Sequence, residues 1–193
     1  MKIVTGALKG KRLISLEGDA TRPTSERIKE AIFSSIQFDI ENRRVLDLFA
    51  GSGQMGLEAL SRGAASATFI DSSLDAMNVV KANIKLTGQN EKTHTLVSDY
   101  RNYIRKASRG ASAIFDLVFI DPPYALACAK DALLRLCEAG LLADGALCVL
   151  EVGEEPLDFS GTQYACFEVL KNTSYGKKSA VAILLYHKEK SDI

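Results

Sequence analysis

From residue 44 onward the chain repeats one pattern, a short apolar run rich in β-formers followed by a stretch with the period of a helix. The runs are "RVLDLFA" (44–50), "SATFIDS" (66–72), "THTLVSD" (93–99), "FDLVFID" (115–121) and "GALCVLEV" (145–152). Several are apolar nearly throughout rather than alternating, as strands covered on both faces are in a parallel sheet. Between the second and third, "LDAMNVVKANIKLTG" sets Met77, Val80 and Ile84 on one helical face and stops at Gly88, a residue suited to a left-handed helix end. This alternation predicts an α/β fold with a doubly wound, mostly parallel sheet. Two last runs, "YACFEVL" (164–170) and "SAVAILLYHK" (179–188), lie too close together for a crossover helix. They predict an antiparallel hairpin at one edge, completing a seven-stranded, Rossmann-like sheet.

Ahead of this body, "KIVTGALKGKRLIS" reads as a small hairpin turning near Gly10, and "RPTSERIKEAIFSSI" as a helix that Thr24 caps after Pro23. Two parts are therefore expected: an N-terminal hairpin-plus-helix extension over residues 1–40, packed on the body, and a main domain over 41–193. An apolar content of 47% with 25% charge belongs to a water-soluble globular chain. No window approaches the roughly 18 to 20 apolar residues of a membrane span, and "MKIVTGALKG" lacks the apolar stretch of a signal peptide, so a cytoplasmic protein is expected. Cys128, Cys137, Cys148 and Cys166 stand apart with no C-x-x-C pair, which predicts core filler rather than a metal site or a disulfide framework. His94 and His187 have no sequence neighbours suggesting catalysis and read as structural. The net charge is zero, yet residues 1–44 carry nine Lys/Arg against six acids and residues 171–193 five against two, leaving an acidic middle. Basic ends of this kind suit an anionic partner.

The first run of the body leads into "VLDLFAGSGQMG", which places G-x-G-x-x-G at Gly51, Gly53 and Gly56 between a strand and a helix, with Asp71 twenty residues beyond Gly51. By spacing this is the dinucleotide fingerprint, so an NAD-dependent oxidoreductase is one reading. Asp47 speaks against it: a carboxylate four residues before Gly51 repels a pyrophosphate and attracts a cationic amine. S-adenosylmethionine, with an ammonium, a sulfonium, a ribose and an adenine but no phosphate, fits better. Phe49, Ala50, Gly51 and Gly53 would then approach it through the turn. Asp71 with Ser72 would take its ribose, and Asp99 with Tyr100 its adenine. Three successive strands ending in Asp lie at the carboxyl edge, where open α/β sheets bind ligands. The Ser52 turn is not a hydrolase elbow, because Ala50 stands where that motif needs glycine.

The fourth run ends in "DPPY". An exocyclic base amine is a poor nucleophile, since its lone pair is delocalised into the ring, and two acceptors holding its two N–H groups would favour a pyramidal, reactive nitrogen. Asp121 can be one acceptor and the carbonyl of Pro122 the other, with Pro123 fixing the backbone. Tyr124 offers a ring on which an extruded base can stack, worth about 1 to 3 kcal/mol.

"DLFAGSG" and "DPPY" resemble the cofactor loop and catalytic motif of class I S-adenosylmethionine-dependent methyltransferases that modify exocyclic base amines. Together with "GALKGKRL", "TRPTSERIKEAIFSSI", "VLDLFAGSGQMGLEALSRGA" and "FIDPPY", the chain resembles the bacterial 16S ribosomal RNA guanine-N2 methyltransferases of the RsmD type over essentially its whole length. The resemblance implies methyl transfer from S-adenosylmethionine, without a metal, to guanine N2 of 16S ribosomal RNA. The RNA would be free or within a small-subunit particle, and the enzyme a cytoplasmic monomer. It also implies that Arg22, Thr24 and Arg27 lie near the target base. Lys9, Lys11 and Arg12 at the front, with Lys177 and Lys178 in the late hairpin, would grip RNA phosphates. Where the family often has Glu, this chain has Asp71, with a shorter reach to the ribose. Adenine N6 of DNA or RNA remains an alternative target, because Asp-Pro-Pro-Tyr does not separate the two amines. A catalytically silent RNA-binding module is a further alternative, against which Asp121 and Tyr124 count.

Overall fold

The computed structural model describes residues 1–16, 23–110, 114–122, 126–153, 157–176 and 179–188, with no side-chain account of 23–25, 126 and 127. Arg22, Pro123, Tyr124, Lys177, Lys178 and the side chain of Thr24 lie outside that description. Two compact units are formed, residues 1–99 and 100–193.

The first unit contains α1 (Pro23–Ser35), β1 (Arg44–Asp47), α2 (Gln54–Ser61), β2 (Ser66–Asp71), α3 (Leu74–Thr87) and β3 (Thr93–Val97). Its strands are parallel in the order β3-β2-β1. Val45, Leu46, Phe69 and Ile70 are buried, as the both-faces-apolar reading requires, and so are Met77, Val80 and Ile84 on the predicted face of α3. Gly88 ends α3 at φ +73°, its N–H bonded back to the carbonyls of Ile84 and Lys85. Two boundaries differ from expectation. The helix α1 begins at Pro23, whose fixed φ and missing N–H suit the first helical position, so Thr24 lies within the first turn rather than capping it. The strand β3 stops at Val97, and Asp99 stands in the link just before the next helix.

The front hairpin is present, closed by a Lys2–Arg12 bridge and by bonds from Ile3 N to Lys11 O and Leu13 N to Met1 O. Its turn is wider than predicted, occupying residues 4–10, with both Gly6 and Gly10 at positive φ. The hairpin is fastened to α2 and α3 by buried side chains. Glu58 accepts from Val4 N (2.8 Å) and Thr5 N (3.0 Å), Ser61 Oγ accepts from Leu8 N (2.9 Å), and Asn83 Oδ1 accepts from Ile14 N (2.8 Å). Gly6 runs so close to α2 that a Cβ there would sit 1.8 Å from Ser61 O.

The second unit contains α4 (Tyr100–Ala107), β4 (Phe115–Ile120), α5 (Leu126–Glu138), β5 (Leu142–Val152), β6 (Phe167–Tyr175) and β7 (Ser179–Tyr186). Its order is β4-β5-β7-β6, with β4 and β5 parallel and the predicted hairpin β6-β7 antiparallel, β7 lying against β5. The strand β6 begins later and runs further than its apolar signal, because 162–164 form a tight turn and the polar 171–175 still find partners along β7. Cys148 and Cys166 are buried, and Cys137 Sγ lies 3.6 Å from Cys166 Sγ. Among the described residues no helix is long and apolar enough to cross a membrane.

Candidate active site

The turn after β1 is built around its glycines and held by carboxylates. Gly51 (φ +53°) and Gly53 (φ +79°) take backbone angles that side-chain-bearing residues rarely adopt. Gly56 meets a different demand: a Cβ at this position would stand 2.4 Å from Cε1 of Phe69, so only glycine lets α2 lie this close to β2. Asp47, at the end of β1 and 3% exposed, accepts the N–H of Gly56 on Oδ2 at 3.0 Å. Asp71, at the end of β2, accepts the N–H of Gly51 on Oδ2 (2.9 Å) and that of Ser73 on Oδ1 (2.8 Å). From below, Asn83 of α3 donates to Ser52 O (2.9 Å) while also donating to Ile14 O (3.0 Å). One buried amide thus ties the glycine turn to the front hairpin.

Asp47, Ala50, Gly51, Gly53 and Asp71 are therefore brought together, with half-buried Phe49 in the same turn and exposed Ser72 directly after Asp71. Asp99 is exposed, two residues past β3. Tyr100 is buried, and its hydroxyl donates to Asp131 Oδ2 at 2.7 Å and accepts from Arg101 Nε at 2.9 Å.

Asp121 directly follows β4 and is exposed, while Pro122 is buried. The parallel register pairs Ile120 with Leu150, which sets Asp121 beside Glu151 of β5. Burial, reinforced by the charge of Asp121, pushes the Glu151 carboxyl up to about 8. This neighbour escaped the sequence reading, although an acid inside the apolar "VLEV" was its signal.

Of the expected RNA-facing residues, Lys9, Arg12 and Arg27 are exposed. Lys2 and Lys9 line a concavity of about 370 Å³ on the front hairpin, together with Glu30. Lys11 is exposed as well. Its ammonium reaches the carbonyls of Leu86 (3.5 Å) and Thr87 (3.4 Å), where a cation offsets the negative end of α3.

Residues 1–184 match the family described as "Conserved hypothetical protein 95". The chain is 34% identical over 155 residues to YlbH of Bacillus subtilis, covering 80% of this chain and 84% of that one. It is 32% identical over 156 residues to the ribosomal RNA small subunit methyltransferase D of Haemophilus influenzae, covering 80% of each. The solved structure of yhhF from Escherichia coli is 28% identical and aligns with a TM-score of 0.85 over 97% of this chain and 98% of that one. That likeness establishes the expected Rossmann-like α/β fold. The chain belongs to the family of the ribosomal RNA small subunit methyltransferase D proteins.

Proposed function

We propose that this protein transfers a methyl group from S-adenosylmethionine to the exocyclic N2 of a guanine in 16S ribosomal RNA, in the cytoplasm and as a monomer. In this reading, residues 41–193 form the methyltransferase domain and residues 1–40 an extension that contacts RNA. The observation that carries the cofactor assignment is the wiring of the glycine turn. In a pyrophosphate site the backbone N–H groups of such a turn face the phosphates. Here the N–H groups of Gly51 and Gly56 are already taken by Asp71 and Asp47. A turn edged with carboxylates repels a dinucleotide and favours a cationic amino acid end. S-adenosylmethionine fits that donor set and supplies an electrophilic methyl group when bound.

Each oxygen of Asp71 accepts one backbone N–H and keeps a second lone pair, so the pair of oxygens can still accept both ribose hydroxyls. Asp47 supplies negative field from beneath the turn, and Phe49, Ala50 and Gly53 shape its surface. Ser72 flanks the ribose. Asp99 accepts from the adenine amine, and the ring of Tyr100 packs on the base. Asp121 and the carbonyl of Pro122 accept the two hydrogens of the target amine and keep its lone pair available, with Pro123 stiffening the backbone and Tyr124 stacking on the base. Proton loss from the methylated nitrogen completes the exchange. Arg22, Thr24 and Arg27 orient the target base. Lys9, Arg12, Lys177 and Lys178 hold phosphates nearby, whereas Lys11 serves α3 first.

Calorimetry tests the cofactor assignment. S-adenosylmethionine or its demethylated product binds and NAD does not; the opposite ranking would return the chain to the oxidoreductases. Asp121→Ala abolishes methyl transfer and leaves cofactor affinity within about twofold, since only the acceptor for the amine is lost. Substantial turnover by this variant would remove Asp121 from its role.

A further inference from the structure

The helices α4 and α5 of the second unit enclose a groove of about 370 Å³ that none of the residues assigned above enters except through Arg101, the neighbour of Tyr100. Arg101, Arg105 and Ser108 line one wall, and Arg135 and Glu138 the other. Lys106 and Arg109 stand exposed on the same short segment. Three arginines thus line the groove beside one acid, Glu138, with two further exposed cations on the adjoining segment.

The cations are not a loosely solvated fringe. Asp131 Oδ2 accepts from Arg135 Nε at 2.7 Å, from Arg101 Nε at 3.2 Å and from the Tyr100 hydroxyl at 2.7 Å. One carboxylate therefore sets the direction of two guanidinium planes, which remain 60% and 45% exposed for Arg101 and Arg135. The Arg135 guanidinium is engaged through Nε, a bond that does not use its terminal N–H groups. Arg105 lies one helical turn beyond Arg101, about 6 Å along the axis, and is steadied by Asn102 Oδ1 at 2.9 Å. Arg105, Lys106 and Arg109 form no ion pair among the described residues.

We propose that this groove is a second RNA-binding surface, which holds backbone phosphates of the substrate through Arg101, Arg105, Arg109 and Arg135. The inference rests on the reading of the chain as an RNA methyltransferase and adds a contact surface to it. Planar guanidinium forks match phosphate oxygens two at a time, and arginines oriented before binding lose less freedom on contact than flexible lysines. An acidic protein is the poorer fit. Protein interfaces need a buried apolar centre, whereas Ile104 is itself buried and the accessible groups here are Arg, Lys, Ser and Asn with the single acid Glu138.

The test measures binding of the full chain to 16S ribosomal RNA transcribed in vitro, across a series of potassium chloride concentrations, for three proteins. They are the wild type, the triple variant Arg105→Ala/Lys106→Ala/Arg109→Ala, and the charge-keeping Arg105→Lys/Arg109→Lys. None of these substitutions touches Asp131 or the glycine turn. The triple variant loses about two to three from the magnitude of the logarithmic salt slope and binds at least tenfold more weakly at moderate salt. Its thermal midpoint and its affinity for S-adenosylhomocysteine stay as in the wild type. The lysine variant keeps the slope. Wild-type affinity and slope in the triple variant, beside a wild type that binds and methylates the RNA, would overturn the groove alone. A wild type that neither binds nor methylates the RNA would overturn the functional reading and the groove with it. Weakened capture of an acidic protein with RNA binding unchanged would also overturn it, in favour of a protein partner.

Discussion

Gly56 shows how a single missing side chain sets the geometry of a site. Its Cα faces the ring of Phe69, and even a methyl group would overlap the ring edge at 2.4 Å. Gly56→Ala should cost about 1 to 3 kcal/mol by overpacking and weaken binding of S-adenosylhomocysteine; adding Phe69→Leu, which withdraws the ring, should recover part of the stability. Thermal melts and calorimetry read both effects, and an unperturbed single variant would mean that α2 shifts away freely. At Glu151 the sign follows from linkage. Its carboxyl stays protonated in the folded chain up to about 8 but ionises near the ordinary glutamate value when unfolded. The folded state therefore holds the extra proton between those two values, and stability falls as pH rises through that window, levelling above about 8. Glu151→Gln should flatten this decline and be the more stable protein at alkaline pH. Equal slopes in the two proteins would show that Glu151 ionises normally. At this scale the sequence was half legible: glycines and acids could be located by spacing, but the carboxylate partners could not. Asp47 and Asp71 were expected to face a ligand, and each also braces the turn through an N–H whose direction depends on backbone angles that no spacing encodes.

Among the elements, the front hairpin depends on polar anchors more than on its own ladder, which has one bridge, Lys2–Arg12. Glu58 is fully buried, and besides the amides of Val4 and Thr5 it meets Arg62 Nε at 2.9 Å and Lys29 Nζ at 3.9 Å. Burial lowers the affinity of Lys29 for its proton, and Glu58 pulls it back up. Glu58→Ala would leave that ammonium without its acid and two amides without acceptors, so a loss of about 3 to 5 kcal/mol is expected, measured by urea unfolding. Amide exchange at Val4 and Thr5 should accelerate in the same variant, and a loss below about 1 kcal/mol would mean that water replaces the carboxylate readily. The strands of the body were legible because burial on both faces leaves continuous apolar runs, as in β4. The edge strand β6 was less so: most of it is exposed, and the register shift between Val169 and Lys171 leaves Leu170 outward. An edge strand can be polar and bulged without losing its inner partner. That is why its true span was invisible in the apolar pattern.

Over the whole chain, charge teaches a similar lesson. The tally by segments pointed to the basic ends and passed over residues 45–170, where the cations are outnumbered by acids. Within the first unit Asp47 and Asp71 hold the glycine turn, and within the second Arg101, Arg105 and Arg135 collect along the α4–α5 groove. A sum along the sequence cannot register that sorting, because it depends on which helix edges come together. In the proposed function Asp121 and Pro122, after β4, are the acceptors for the target amine, in a chain that belongs to the small subunit methyltransferase D family. Methyl transfer to that amine is checked by incubating the protein with a methyl-labelled donor and 16S ribosomal RNA from cells lacking the enzyme, then digesting the RNA to nucleosides. The label should be recovered as N2-methylguanosine from a single position; recovery as N6-methyladenosine, or RNA without label beside a protein that binds S-adenosylmethionine, would contradict it.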